Sequence, residues 1–259
     1  GASKANAASL QIGALGILSE LNPSKTRKQL LKAVSSDNAL YRNTALQLLG
    51  DKPEAADTKV LIKALGKASP DVQESILNYL AQSGSESQLA AIQKGYKAIK
   101  STPAKIAALT TLSKLSKGSN SASLISEIAT ADEATVDAIE VLLLSAKDAQ
   151  VVDNINNAVG TADAKTKLVL LDILAQRSNA NSSKIILPLL SSADAPIRTA
   201  ALKALPTVVQ NADFEALVNV LPQTNAEDSK YVQQALVLVL NSSADKDAKV
   251  KKLAANISR

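Results

Sequence analysis

The side chains in this sequence best placed for proton chemistry are two pairs of carboxylates, Asp132 with Glu133 and Asp137 with Glu140. Two such groups sharing a cleft act as general acid and general base when their surroundings push their proton affinities apart. Little else supports catalysis. With no His and no Cys, the chain has no His general base, no Cys nucleophile, no Ser-His-Asp triad and no zinc site of the usual N/S type. Acids that open a helix also stabilise its dipole. That is the role expected for these carboxylates, and no catalytic residue, metal site or cofactor is expected. The close glycine pair Gly13 and Gly16 in "IGALGIL" lacks the strand that precedes a phosphate-binding loop. It sits in an apolar helical stretch and is expected to serve close helix packing.

Binding chemistry has more candidates. The net charge is +5 and the isoelectric point is near 9.2. Residues 87–126 carry Lys94, Lys97, Lys100, Lys105, Lys114 and Lys117 with no acid, whereas 127–163 carry eight acids against Lys147 alone. Such a boundary suits a partner with its own paired charged patches. Only five of the 29 basic residues are Arg, and aromatic residues make up 2% of the chain. A sequence-specific nucleic-acid reader is therefore not expected. In "VVDNINNAVG", Asn154, Asn156 and Asn157 stand inside a helical pattern although Asn favours caps and turns. Lys94, Lys97, Lys100, Asn154 and Asn157 are the candidate partner-binding residues.

These residues are held by a repeat. "TADAKTKLVLLDIL" begins at Thr161 and "SADAPIRTAALKAL" begins 31 residues later at Ser192. From Asp194 the matching positions are Asp163, Asp132 and Ser101 at steps of 31, then Ser69 and Asn38. The nearest forward match is taken as Ser229. Asp, Ser and Asn accept hydrogen bonds from the orphan N–H groups of a helix start. Pro70, Pro103 and Pro196 fall in the first turn, where a missing N–H is harmless.

After each marker runs an apolar pattern of helical spacing: Ala200, Ala201, Ala204 and Leu205; Val169, Leu170, Ile173 and Leu174; Ala138, Ile139, Leu142 and Leu143. A second apolar segment closes each unit, for example Val60, Leu61, Ala64 and Leu65, or Leu89, Ile92, Tyr96 and Ile99. Breakers such as "GDKPE" and "KGSNS" separate the two segments. Each unit is thus a helical hairpin. About eight of them at this period make an all-α solenoid, because one hairpin cannot bury both of its apolar faces alone. The expected organisation is a single domain over 1–259, with repeat starts near 38, 69, 101, 132, 163, 194 and 229. Residues 1–36 and 242–259 supply capping helices.

The stretch "SADAPIRTAALKALPTVV" resembles the first helix of a HEAT repeat. It has the Asp, the apolar-Arg pair Ile197-Arg198, the Ala-Ala and Ala-Leu pairs, and Pro206 where that family often bends the helix. "NALYRNTALQLL" and "DAKTKLVLLDIL" keep the pattern, while Val136 replaces the basic residue in "DEATVDAIEVLL". The resemblance covers nearly the whole chain. It implies a right-handed α-α superhelix of the HEAT/armadillo kind and a non-enzymatic scaffold that offers a curved polar helix surface to a protein partner. It also leaves an alternative, an enzyme or enzyme accessory of the lyase-like or DNA-binding kinds using segment 94–117. The HEAT-like hydroxylases that hold iron with His-Glu pairs are excluded by the absence of His.

No stretch reaches the roughly 18 apolar residues of a membrane span. The opening "GASKANAASL" has neither initiator Met nor a charged n-region, so a signal peptide is read as removed or never present. Absence of Cys fits the cytoplasm as well as a periplasmic or secreted location.

Overall fold

The computed structural model describes residues 2–148 and 150–257. Among the described residues the chain is all-α, with sixteen α-helices, short 3₁₀ turns and no strand. In order, the helices are α1 (Ala2–Leu21), α2 (Pro23–Ala33), α3 (Ala39–Leu49), α4 (Ala55–Leu65), α5 (Pro70–Ser83), α6 (Leu89–Tyr96), α7 (Thr102–Leu115) and α8 (Ser121–Glu127). There follow α9 (Glu133–Ser145), α10 (Gln150–Thr161), α11 (Ala164–Arg177), α12 (Ser183–Ile186), α13 (Ala195–Val208), α14 (Phe214–Val220), α15 (Ser229–Ser242) and α16 (Lys246–Ile257). These are the eight consecutive pairs that the repeat requires, and the chain is an α-helical solenoid. Its contacts divide it into two compact units, Gly1–Asn120 with Asp132–Ala138 and Ser121–Ala131 with Ile139–Arg259.

In the first unit the odd-numbered helices pack on one another in the order α1, α3, α5, α7, and the even-numbered ones in the order α2, α4, α6. Each even helix also packs on the odd helix that follows it. The second unit repeats this arrangement: α11 packs on α13 and α13 on α15, while α8 packs on α10, α10 on α12 and α14 on α16.

The markers do start helices. Asn38 Oδ1 accepts from the Tyr41 N–H at 3.0 Å, Asp132 Oδ1 from Thr135 at 2.9 Å, Asp163 Oδ1 from Thr166 at 3.0 Å and Asp194 Oδ1 from Ile197 at 3.1 Å. Ser69 and Ser101 make no such bond; each is followed by a proline in the first turn, so one orphan donor is absent. At the seventh start the structure refines the register. Ser229 is the first residue of α15 and follows its cap residue Asp228, which makes no side-chain cap bond; Asn225 Oδ1 accepts from the Asp228 N–H at 2.8 Å in the turn just before. Asn225 lies 31 residues after Asp194, so the period continues.

Leu143, Leu174 and Leu205, expected at equivalent interfaces, are all fully buried. Each Leu removed from water contributes about 2 kcal/mol. The buried face is rotated slightly from the one expected: Ala138, Val169 and Ala200 are half-buried, while Leu171 and Leu202 lie inside. In α4, Val60 is 47% exposed, because the inward face of this helix consists of Asp57, Thr58, Leu61 and Leu65. The close-packing role of Gly13 and Gly16 is also corrected. A methyl group at either would meet nothing within 4 Å, and the same helix exposes Leu10, Ile17 and Leu21.

Polar side chains link positions about one repeat apart. Thr111 Oγ1 donates to Leu77 O at 2.9 Å, and Tyr79 Oη donates to Gly50 O at 2.8 Å. Arg42 donates to Ser75 Oγ at 2.9 Å; within their own repeats Arg42 and Arg198, four residues after their caps, also donate to Ser36 O at 2.8 Å and Ser192 O at 2.6 Å. Arg27 bonds the buried Asp57 through Nε at 2.8 Å and through a second guanidinium nitrogen. In the second unit Arg177 reaches Leu143 O at 2.6 Å and Ala146 O at 3.1 Å, occupying carbonyls that the C-terminus of α9 leaves open. Between repeats, main-chain carbonyls accept the bonds from Thr111, Tyr79 and Arg177, while Asp57 and Ser75 supply side-chain acceptors.

Candidate functional site

The lysine candidates belong to the first unit and the asparagine candidates to the second. Lys94, Lys97 and Lys100 are all exposed. They do not lie on one helix: α6 ends at Tyr96, so Lys94 occupies its last turn, Lys97 caps it and Lys100 follows it. Among the described residues, none of the three joins an ion pair.

Acids stand in the same unit. Asp132, Glu133 and Asp137 are exposed. The Thr102 hydroxyl and the Thr135 N–H donate to Asp132 and, with the nearby Lys105, hold its carboxyl down to about 2. A carboxyl kept ionised in this way anchors a helix start and cannot supply a proton near neutral pH. Among the described residues, no three His, Cys, Asp or Glu side chains converge to hold a metal ion.

Helix α10 sorts its asparagines. Asn154 Nδ2 donates to Ser121 Oγ at 2.8 Å and so fastens one repeat to the previous one. Asn157 is exposed on the rim of an open cleft of about 730 Å³. Asn156 lines the same cleft, is 9% exposed, and its Oδ1 has no hydrogen-bond partner among the described residues.

Three successive repeats of the second unit build this cleft. Helix α10 contributes Asp153, Asn156 and Asn157, the next repeat Lys184 on α12, and the one after that Gln210 and Asp213 at the turn before α14. The rim is braced from within: Gln210 Nε2 donates to Ala180 O at 2.7 Å, and the Gln210 N–H donates to Asp213 Oδ2 at 2.7 Å. Sequence reading found Asn157 because Asn is out of place in a helix, but it missed Lys184, Gln210 and Asp213. The period carried a signal for the first of these. Lys184 lies 31 residues after Asp153, and a further 31 leads to Glu215, so one register position alternates in sign through three repeats. Glu215 is paired with Lys252 at 2.7 Å, whereas Asp153 and Lys184 join no ion pair among the described residues.

No family model matches the sequence, and no curated protein matches it. Solved structures align along most of the chain at low similarity. Human deoxyhypusine hydroxylase in complex with glycerol aligns with TM-score 0.41 and 14% identity, covering 88% of this chain and 89% of that one. Two engineered proteins align with TM-scores of 0.30 and 0.31 at 18% and 16% identity. They cover 88% and 95% of this chain and 96% and 91% of their own.

Proposed function

We propose that this protein is a non-enzymatic interaction scaffold that presents the exposed surface of its second helices and their flanking turns to a protein partner. The observation that carries this reading is the exposed row Lys94, Lys97 and Lys100 inside a segment, 87–126, that holds six lysines and no acid. An unneutralised row attracts an acidic partner and accelerates encounter more than it deepens affinity.

The test compares the full chain with the Lys94→Glu, Lys97→Glu double variant against a partner captured from the source cells, at low and at moderate salt. The expected result is an association rate lowered by about tenfold or more at low salt, with the difference shrinking as the Debye length falls below about 10 Å. An unchanged association rate with intact helicity would leave these lysines a purely solvating role.

A further inference from the structure

The second helices of the first unit carry a charge pattern that solvation alone does not require. Leu30, Leu61 and Ile92, on α2, α4 and α6, are buried and follow one another at steps of 31. Two residues after each stands a lysine, Lys32, Lys63 and Lys94, and all three are exposed. At about 100° of turn per residue, that offset puts each ammonium on the side of its helix away from the core. Two residues before the buried position, α2 and α4 repeat the choice with exposed Lys28 and Lys59, while α6 has Ala90. The stretches 23–36, 58–70 and 87–101 contain no acid, and Asp57 in α4 is turned inward to Arg27. A solvated surface ordinarily intersperses both signs; a face of one sign focuses the potential and draws an oppositely charged molecule. Helix α2 packs on α4 and α4 on α6. With neighbouring helices about 10 Å apart, the charged face spans roughly 20 Å.

The surroundings select a class of partner. Nucleic-acid backbones are gripped by the Arg fork as well as by Lys, yet Arg27 and Arg42, the arginines of this unit, are both turned to internal partners. Base stacking needs exposed rings, and Tyr41, Tyr79 and Tyr96 are half-buried. A membrane surface needs apolar side chains that insert beside the lysines; among the described residues, Val60 is the one large apolar side chain exposed on these three helices. A closely packed folded partner relies on aromatic and Arg anchors, and Lys is depleted from such interfaces. An extended acidic chain leaves the lysines hydrated. Its side chains recur on one side about every 7 Å, near the roughly 6 Å rise from Lys28 to Lys32 and from Lys59 to Lys63.

We infer that the outer face of α2, α4 and α6 binds an extended polypeptide segment rich in Asp and Glu, held by the charges of Lys28, Lys32, Lys59, Lys63 and Lys94 rather than by a packed interface. About six residues of extended chain reach across the three helices. This inference rests on the scaffold reading and names the chemistry of its partner, carrying the lysine row from one repeat to three. The two fail separately. If no acidic peptide binds while the captured partner still depends on Lys94 and Lys97, the acidic segment is removed and the scaffold stays.

The experiment titrates the full chain at low salt with a fluorescent peptide of about ten residues, mostly Glu, and with a Gln peptide of the same length. Unlabelled acidic peptide, a DNA duplex, and vesicles of phosphatidylcholine with about one-third phosphatidylserine then compete at equal concentrations of negative charge. The acidic peptide should bind saturably, about tenfold or more tighter than the Gln peptide, and weaken as salt rises. The Lys32→Gln, Lys63→Gln double variant keeps good helix formers at exposed positions and should retain the parent's helicity while losing about five- to tenfold in affinity. Lys203→Gln with Lys251→Gln removes the same charge from exposed positions of the second unit and should cost less than about twofold. Equal binding of the two peptides, equal losses in the two double variants, or displacement by DNA or vesicles at a lower charge concentration than by the acidic peptide would overturn the assignment.

Discussion

Asp132 shows how one residue type is directed to structure rather than chemistry. Its oxygens take the hydroxyl of Thr102, thirty residues earlier, and the Thr135 N–H of its own helix start. Both donors favour the ionised form, so the carboxyl titrates at about 2 instead of the ordinary 3.8. Because the folded carboxyl releases its proton at lower pH than the unfolded one, the stability it lends is fully present above 3.8 and is lost as pH falls through about 2. In Thr102→Val the carboxyl should therefore titrate higher, back toward 3.8, as read from its carboxyl carbon shift in an NMR titration. An unmoved midpoint would mean that Thr135, through its side chain and its N–H, holds it without Thr102. The same scale separates two asparagines that look alike in the sequence. Asn154 is consumed by Ser121, whereas Asn156 has no partner for its oxygen among the described residues. No spacing rule distinguishes them, because the difference is which neighbouring repeat each side chain meets.

Among the elements, helix starts were the most legible feature, since the residue types that cap are few and their chemistry is local. Asp194 bonds the Ile197 N–H, and replacing it by Ala should cost about 1 kcal/mol in a denaturant titration. Ser69 makes no side-chain cap bond and is followed by Pro70, so Ser69→Ala should stay within about 0.5 kcal/mol of the parent. Equal losses for the two variants would show that the cap bond is not what stabilises α13. Legibility fell where capping residues crowd together. "TNAEDS" offers Asn225, Asp228 and Ser229 within five residues, and only the structure shows that Asp228 precedes α15 while Asn225 Oδ1 closes the turn before it. It fell again in α4, where buried Asp57 takes an inward position because Arg27 partners it; apolar periodicity has no means of anticipating a paired charge inside. The second-helix cleft was half legible. Asn157 declared itself by composition, while Gln210 and Asp213 lie on loop and turn residues of another repeat and became neighbours only through stacking.

Across the whole molecule the repeat governs energetics as well as form, because in such arrays stability is roughly a sum of repeat terms and nearest-neighbour interfaces. Leu174 has no exposure to solvent and lies on α11, which packs on α10 and α13 within the second unit. An Asp there would place an unpaired carboxylate among apolar side chains, a penalty of at least about 3 kcal/mol that its immediate interfaces cannot offset. The change should therefore be local to its unit. In hydrogen exchange, Leu174→Asp should strip protection from α10, α11, α12 and α13, while α3, α5 and α7 of the first unit, whose core runs through Leu46, Ile76, Leu80 and Leu112, keep theirs. Simultaneous loss in both sets would show that the chain opens as one cooperative body despite its two compact units. Parent-like protection in α11 itself would overturn the register that places Leu174 inside.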